Sequence, residues 1–241
     1  GHILGSSMAY IEAEGQSLLY TGDFKLRAGF SCEPCEVRQA DVLIMETTFG
    51  LPQYVLPPQE SIWAELRAFC HKALEEGATP VLMTYSLGKA QEILAGLRDT
   101  GLSFALHEQT LKMTQACEAF GVAFAPYEPF DPLFACGKVL LWPPSAMKSK
   151  LLDGVPKLRK AAITGWAMDA SCRFRYRADA AFAISDHADF PDLLEAVERV
   201  QPKQVWTLHG SAASFADALR QRGYNASPLS EPDQLSLVLG C

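Results

Sequence analysis

The sequence predicts an α/β protein, and three observations carry that prediction. Apolar runs of strand length alternate with helical patterns from one end of the 241 residues to the other. Hydrophobic residues make up 49% and charged residues 20%, the proportions of an ordinary globular chain. No internal repeat or low-complexity tract interrupts the alternation. A chain of this length can bury a sizeable core, as one large domain or two smaller ones.

The elements follow in order. The stretch MAYIEAEGQSLLYTGD reads as a hairpin about Gly15, and ADVLIMETT as a buried strand. In PPQESIWAELRAFCHKALEEG, residues Ile62, Trp63, Leu66, Phe69, Cys70, Ala73 and Leu74 form one helical stripe that stops at Gly77. PVLMTYS is a strand feeding the helix LGKAQEILAGLRD, and SFALHEQTLKMTQACEAFG repeats that unit. GKVLLWPPS and KAAITGWA are further strands. The chain closes with strand AAFAIS, helix DFPDLLEAVERV, strand KQVWTLHG and helix SAASFADALRQRG. The proline-rich stretches 51–58 and 127–132 read as surface connections.

Bulk properties narrow the class. No apolar run approaches the length that crosses a bilayer, so no membrane role is expected. Seven scattered cysteines argue against a disulfide framework and for a reducing, cytoplasmic compartment. The net charge of −7 is a poor advertisement for nucleic-acid binding, but it is unevenly spread. Residues 148–177 hold eight basic side chains against two acidic ones, a local +6 that leaves −13 elsewhere. Such asymmetry marks either an electrostatic footprint or merely two solvated faces.

Candidate chemistry collects at strand ends. Asp23 follows SLLYTG, Glu46 ends VLIM, His187 follows AFAIS and His209 ends KQVWTL, while His2 lies in the turn before the first strand. The C-terminal ends of such strands share an edge where ligands and metals gather. Three histidines and two carboxylates there suit zinc, although each alone is more often a turn or capping group.

In this order, GHILGSS, YTGDF, METTFG, SDHADF and TLHG resemble successive motifs of the metallo-β-lactamase superfamily, and specifically its β-CASP branch of nucleic-acid nucleases. The nearest likeness is to bacterial ligase-associated DNA exonucleases, also described as mRNA 3′-end-processing-like. TFGLPQYVLPPQ, YSLGKAQEILAGL and GWAMDASCRFRYR fit that group. The resemblance implies a metallo-β-lactamase αββα sandwich lacking its first strands, at residues 1–49 and 181–241, interrupted by a β-CASP α/β insertion at 50–180. It also implies a two-zinc centre for phosphodiester hydrolysis of DNA or RNA, with the exonucleolytic action of the resembling group. A DNA ligase or helicase repair system is the partner implied.

Carried over by the resemblance, His2 binds the first zinc, Asp23 bridges both ions and His209 binds the second. Glu46 and His187 form a dyad in which Glu46 orients the imidazole and His187 is general acid. The superfamily's H-x-H-x-D-H motif is not found in this sequence. The expectation is therefore a fragment of a longer enzyme, weakly active or inactive alone. Two alternatives stay open: a non-catalytic nucleic-acid-binding scaffold, and a hydrolase of small thioesters or lactams that has no use for Glu46 or His187.

Lesser features have double readings. Ser86, Gly88 and Lys89 stand at a strand-to-helix junction that suits a substrate phosphate or simple helix capping. Arg173, Arg175 and Arg177 alternate on an expected strand. With Trp166 and Tyr176 nearby, one face would track a nucleic-acid backbone, or be an ordinary charged face. Cys32 and Cys35 form a lone C-x-x-C that argues weakly for metal, and His71 and His107 are expected at helix surfaces.

Overall fold

A computed structural model describes residues 1–229. In chain order its strands are β1 (Ala9–Ala13), β2 (Gln16–Tyr20), β3 (Val42–Glu46), β4 (Thr79–Met83), β5 (Phe104–Leu106), β6 (Tyr127–Pro129), β7 (Val139–Trp142), β8 (Leu158–Ile163), β9 (Ala180–Phe182), β10 (Gln204–Leu208) and β11 (Ala226–Pro228). The helices are α1 (Gln59–Glu75), α2 (Lys89–Gly96), α3 (Glu108–Glu118), α4 (Cys172–Arg175), α5 (Phe190–Val200) and α6 (Ala212–Arg220). They fall into two compact units. The larger comprises Gly1–Gly5, Arg27–Pro34 and Val55–Asp186; the smaller comprises Ser6–Leu26, Cys35–Tyr54 and, among the described residues, 187–229.

The smaller unit is built on a five-stranded sheet ordered β1-β2-β3-β10-β11. β1 and β2 are antiparallel and the other pairings parallel. The hairpin turns on Glu14 and Gly15, both left-handed at φ 51° and 75°, the pair of signs that matches strand twist in a two-residue turn. Alternation along the central strands sends Leu19, Leu43, Met45 and Val205 into one core with Leu193 and Val197 of α5 and Phe215 and Leu219 of α6. Leu18, Ile44 and Trp206 on the opposite face are half-buried. Of the αββα layers, the described residues thus form one sheet and one helical layer. α5 starts sharply because the Asp189 carboxylate accepts the Asp192 N–H at 3.1 Å and proline occupies its first turn.

The larger unit carries a six-stranded, wholly parallel sheet ordered β6-β5-β7-β4-β8-β9. Its central strands β4 and β7 are buried throughout, as expected where both faces of a parallel sheet are covered. Leu82 packs to one side with Ile62, Leu66 and Cys70 of α1 and Ile93 of α2. Its neighbours Val81 and Met83 pack to the other with Leu140, Trp142 and Cys172. The apolar stripe read for α1 is the face it buries.

Two readings change, and one strand was not read at all. Residues 173–177 do not form a strand: Cys172–Arg175 is one helical turn, Tyr176 caps it, and Arg177 is left-handed at φ 48°. At about 100° per residue, Arg173 and Arg175 point to different sides, so the three arginines share no strand face. All three are exposed. The expected connection at 127–132 begins with the edge strand β6, whose one proline, Pro129, sits at the sheet edge where a missing N–H is tolerated. β11, another short edge strand containing proline, had too few residues to signal itself.

Candidate metal and acid–base centre

The parallel register sets Glu46, the last residue of β3, opposite Leu208, the last residue of β10. The turns that follow are locked together. Thr47 Oγ1 donates to the His209 carbonyl at 2.6 Å, and the Ser211 N–H donates to the Thr47 carbonyl at 2.9 Å. His209 takes a left-handed φ of 60°, uncommon for a residue with a Cβ. Gly210 follows at φ 56°, and a Cβ there would stand 2.6 Å from the Thr47 carbonyl oxygen and 2.6 Å from Thr48 Cα. The glycine after His209 is therefore required by backbone crowding against the T-T pair of METTFG.

Glu46 is 1% exposed and its carboxylate is fully engaged. Oε1 accepts the Phe24 N–H at 2.9 Å, and Oε2 accepts the Thr48 hydroxyl at 2.5 Å and the Thr48 N–H at 3.3 Å. His187 Nδ1 lies 2.9 Å from Oε1 and 3.1 Å from Oε2. Burial alone would raise the Glu46 carboxyl. The His187 hydrogen bond and charge, with the Thr48 and Phe24 donors, outweigh it and hold the group below the ordinary glutamate range. Because the carboxylate only accepts, Nδ1 of His187 carries the proton and the lone pair of the neutral ring sits on Nε2.

His187 is held from its own flank. The Ala188 N–H donates to the Phe24 carbonyl at 2.6 Å and the Phe190 N–H to the Tyr54 carbonyl at 2.9 Å. The Phe49 ring meets the imidazole edge-on at 6.3 Å. Asp23, three residues beyond β2, is exposed, and ligand-type atoms of Asp23 and His187 lie within 4.8 Å of each other. Of the four residues expected at strand ends of one sheet, Asp23, Glu46 and His209 do follow strands of the smaller unit's sheet. His187 does not: the strand before it, β9, belongs to the other sheet, and His187 sits two residues ahead of the α5 cap. His209 is exposed and lies outside the clustered ligand-type side chains found among the described residues.

His2 belongs to the larger unit, where its Nδ1 is 2.9 Å from the Asp186 carbonyl oxygen. A carbonyl can only accept, so Nδ1 is protonated and Nε2 keeps the lone pair. That is the state in which metal-binding histidines are usually held by a backbone acceptor. An imidazole prepared in this way suits zinc, and within the smaller unit the His187 imidazole and the Asp23 carboxylate are donors of the kind zinc takes. Lys89 departs from its expected role: it is 4% exposed and its ammonium lies 2.9 Å from Asp186 Oδ2. Ser86 is half-buried and its hydroxyl accepts from Thr110 Oγ1 at 3.4 Å. Sequence reasoning missed Thr48, Phe24 and Asp186. A threonine two residues past a carboxylate is a recognisable local hydrogen-bonding signal, whereas the backbone groups of Phe24 and Asp186 leave none.

Residues 178–227 match the family model of the Zn-dependent metallo-hydrolase RNA specificity domain. The chain is 49% identical over 238 residues to a probable DNA ligase of Opitutus terrae, covering 98% of this chain and 23% of that protein. It is 34% identical over 96 residues to an RNase J-like protein of Methanocaldococcus jannaschii, covering 39% and 23%. Over 96 residues it is 33% identical to the endoribonuclease YSH1 of Kluyveromyces lactis, covering 39% and 12%. The chain thus spans about a quarter or less of these relatives. A crystal structure of a protein of unknown function from Enterococcus faecalis V583 shares the fold at a TM-score of 0.60 and 14% identity, covering 96% of this chain and 60% of that one. With the ordered motifs, these likenesses place the chain in the β-CASP branch of the metallo-β-lactamase superfamily.

Proposed function

We propose that the natural protein is a zinc-dependent nuclease that hydrolyses phosphodiester bonds, working inward from a strand end. The observation that carries this reading is the buried Glu46 carboxylate holding His187 Nδ1 beside Asp23. A hydrolase of small molecules has no need of such a dyad; a phosphodiesterase needs an acid to protonate its departing oxygen. The names of the RNase J-like and YSH1 relatives support a nucleic-acid substrate. The ligase-named relative, similar along nearly the whole chain, favours DNA and a ligase as working partner.

By resemblance, His2, Asp23 and His209 are the zinc ligands, with two ions in the complete centre. When bound, zinc supplies Lewis acidity and a water nucleophile at neutral pH. The chain's own residues do the rest. Glu46 fixes the His187 ring so that, in the imidazolium, the Nε2 proton points away from the carboxylate, and the buried negative charge stabilises that cation. His187 Nε2–H then passes its proton to the leaving ribose oxygen. The exposed Arg173, Arg175 and Arg177 lie in the basic segment and would meet backbone phosphates from several sides.

The test uses the full natural protein, zinc-loaded, on single-stranded DNA and RNA labelled at either end. Expected is progressive shortening from one end, slowed about 10²–10⁴-fold by His187→Ala with zinc content unchanged. Full activity in that variant, or strand binding without cleavage by the zinc-loaded protein, would remove the nuclease reading.

A further inference from the structure

We propose that the Gly88–Lys89 junction is a positioning device for His2, and that Lys89 is a positioning residue for the metal centre rather than a contact for substrate phosphate. The proposal rests on the reading of His2 as a zinc ligand. Every residue in the argument lies in the larger unit.

Two independent contacts grip the His2 segment from this junction. The Lys89 ammonium, 5% exposed at its side chain, lies 2.9 Å from Asp186 Oδ2, and the Asp186 carbonyl accepts the His2 Nδ1 proton at 2.9 Å. A buried ammonium already facing a carboxylate makes a poor site for a solvated anion, but it fixes the residue whose carbonyl sets the imidazole. The other Asp186 oxygen, Oδ1, is buried without a hydrogen-bond partner, so the orientation of the carboxylate depends heavily on the lysine. On the other side, Ile3 presses on the Cα of Gly88: a Cβ there would stand 2.2 Å from Ile3 Cγ2. The same glycine holds φ 80°, a conformation open to residues without a side chain.

The junction is itself braced. The Gly88 N–H donates to Gln91 Oε1 at 2.7 Å, while Gln91 Nε2 donates to the Ser86 carbonyl at 3.1 Å and to Thr114 Oγ1 at 2.9 Å. Gln91 is 1% exposed, and its three bonds tie the start of α2 to α3. The chain of support therefore runs from two packed helices, through Lys89 and Asp186, to the His2 ring. Its effect is to keep the proton on Nδ1 and the lone pair on Nε2.

The experiment compares Lys89→Met, Lys89→Arg, Asp186→Asn and His2→Ala in the full natural protein. Zinc affinity is read by competition with a chromophoric chelator, and the His2 tautomer by ¹⁵N NMR of the zinc-free protein. Expected for Lys89→Met is affinity weakened about 10–100-fold, as for other supporting partners of metal-binding histidines, with His2 shifting to mixed tautomers. Asp186→Asn, which keeps the carbonyl but loses the ion pair, should behave alike, and it decides the matter if Lys89→Met does not fold. Lys89→Arg, retaining the charge, should restore most of the affinity. Unchanged affinity and an unchanged tautomer in Lys89→Met or Asp186→Asn, with His2→Ala still weakening zinc, overturn this inference and leave the zinc reading standing. If His2→Ala leaves zinc affinity unchanged, His2 is no ligand, and both readings fall.

Discussion

Replacing Glu46 with glutamine tests the centre most directly, because the change keeps the volume and removes one acceptor and the charge. The carboxylate receives protons from Phe24 N–H, both donors of Thr48 and His187 Nδ1. An amide has one oxygen. If that oxygen faces Phe24 and His187, its NH₂ faces Thr48, whose hydroxyl can turn to accept but whose N–H cannot. The reverse placement sets the NH₂ against Phe24 N–H and His187. At least one buried donor is left unmatched, costing about 1–3 kcal/mol, and the surviving bonds lose their charge assistance, worth roughly another 1 kcal/mol. The sum is about 2–4 kcal/mol. For a chain of this size that lowers the melting temperature by roughly 5–15 °C. Urea and thermal unfolding measure the stability, and ¹⁵N NMR of His187 shows whether Nδ1 keeps its proton. A loss below about 0.5 kcal/mol with Nδ1 still fully protonated would refute the assignment of Glu46 as the group that sets the ring, since a surface substitution does as little.

Other outcomes follow from the same geometry. Gly210→Ala should cost at least about 2 kcal/mol, because left-handed strain of roughly 1–2 kcal/mol adds to backbone crowding that no rotamer relieves, whereas Gly15→Ala, which meets nothing within 4 Å, should cost only the strain; chemical denaturation compares them. Burial pushes the Cys70 thiol up to about 12, so in the folded protein at pH 8 a thiol reagent should label exposed Cys136 quickly and Cys70 only after unfolding, as peptide mapping will show. The Lys203 ammonium and the Ser17 hydroxyl and N–H hold the Asp41 carboxyl at about 2, below its ordinary 3.8. The folded-state value is depressed, so its contribution is present above pH 3.8 and is lost as pH falls through about 2. Asp41→Asn should therefore be less stable than the parent at pH 6, with the gap closing as pH falls through about 2 in urea titrations; a gap that persists unchanged in acid would contradict this.

Much of the fold was legible because periodicity reports burial. The stripe of α1 and the apolar runs of β4 and β7 each have several residues to establish a period, and tertiary packing agrees with them. Where a segment is short the signal fails. R-F-R-Y-R alternates perfectly over five residues, yet these residues form a helical turn and its exit. Cys172 is buried in the core beneath Trp142, and a single anchoring residue outweighs a weak strand preference. The edge strands β6 and β11 are too short, and too rich in proline, to be told from loops.

The site divides along a different line. Asp23, Glu46 and His209 could be placed from the sequence because each stands at or just past the end of a strand of one sheet, although His209 lies outside the clustered ligand-type side chains found among the described residues. His187 comes to Glu46 by another route, through the entry to α5 and the backbone bonds of Ala188 and Phe190, and not by strand order. Lys89 shows the opposite error. A lysine at a helix start beside glycine has the composition of a phosphate site, and composition cannot tell which way a cation points. Burial decides it: 184 residues separate His2 from Asp186, and the lysine that steadies their contact enters from a third segment. Glu46 closes a strand that local pattern reveals, whereas the backbone groups that fix His187 and His2 come from distant segments joined only by folding. A centre of this kind is therefore half readable in sequence, and the unread half is what fixes its proton positions.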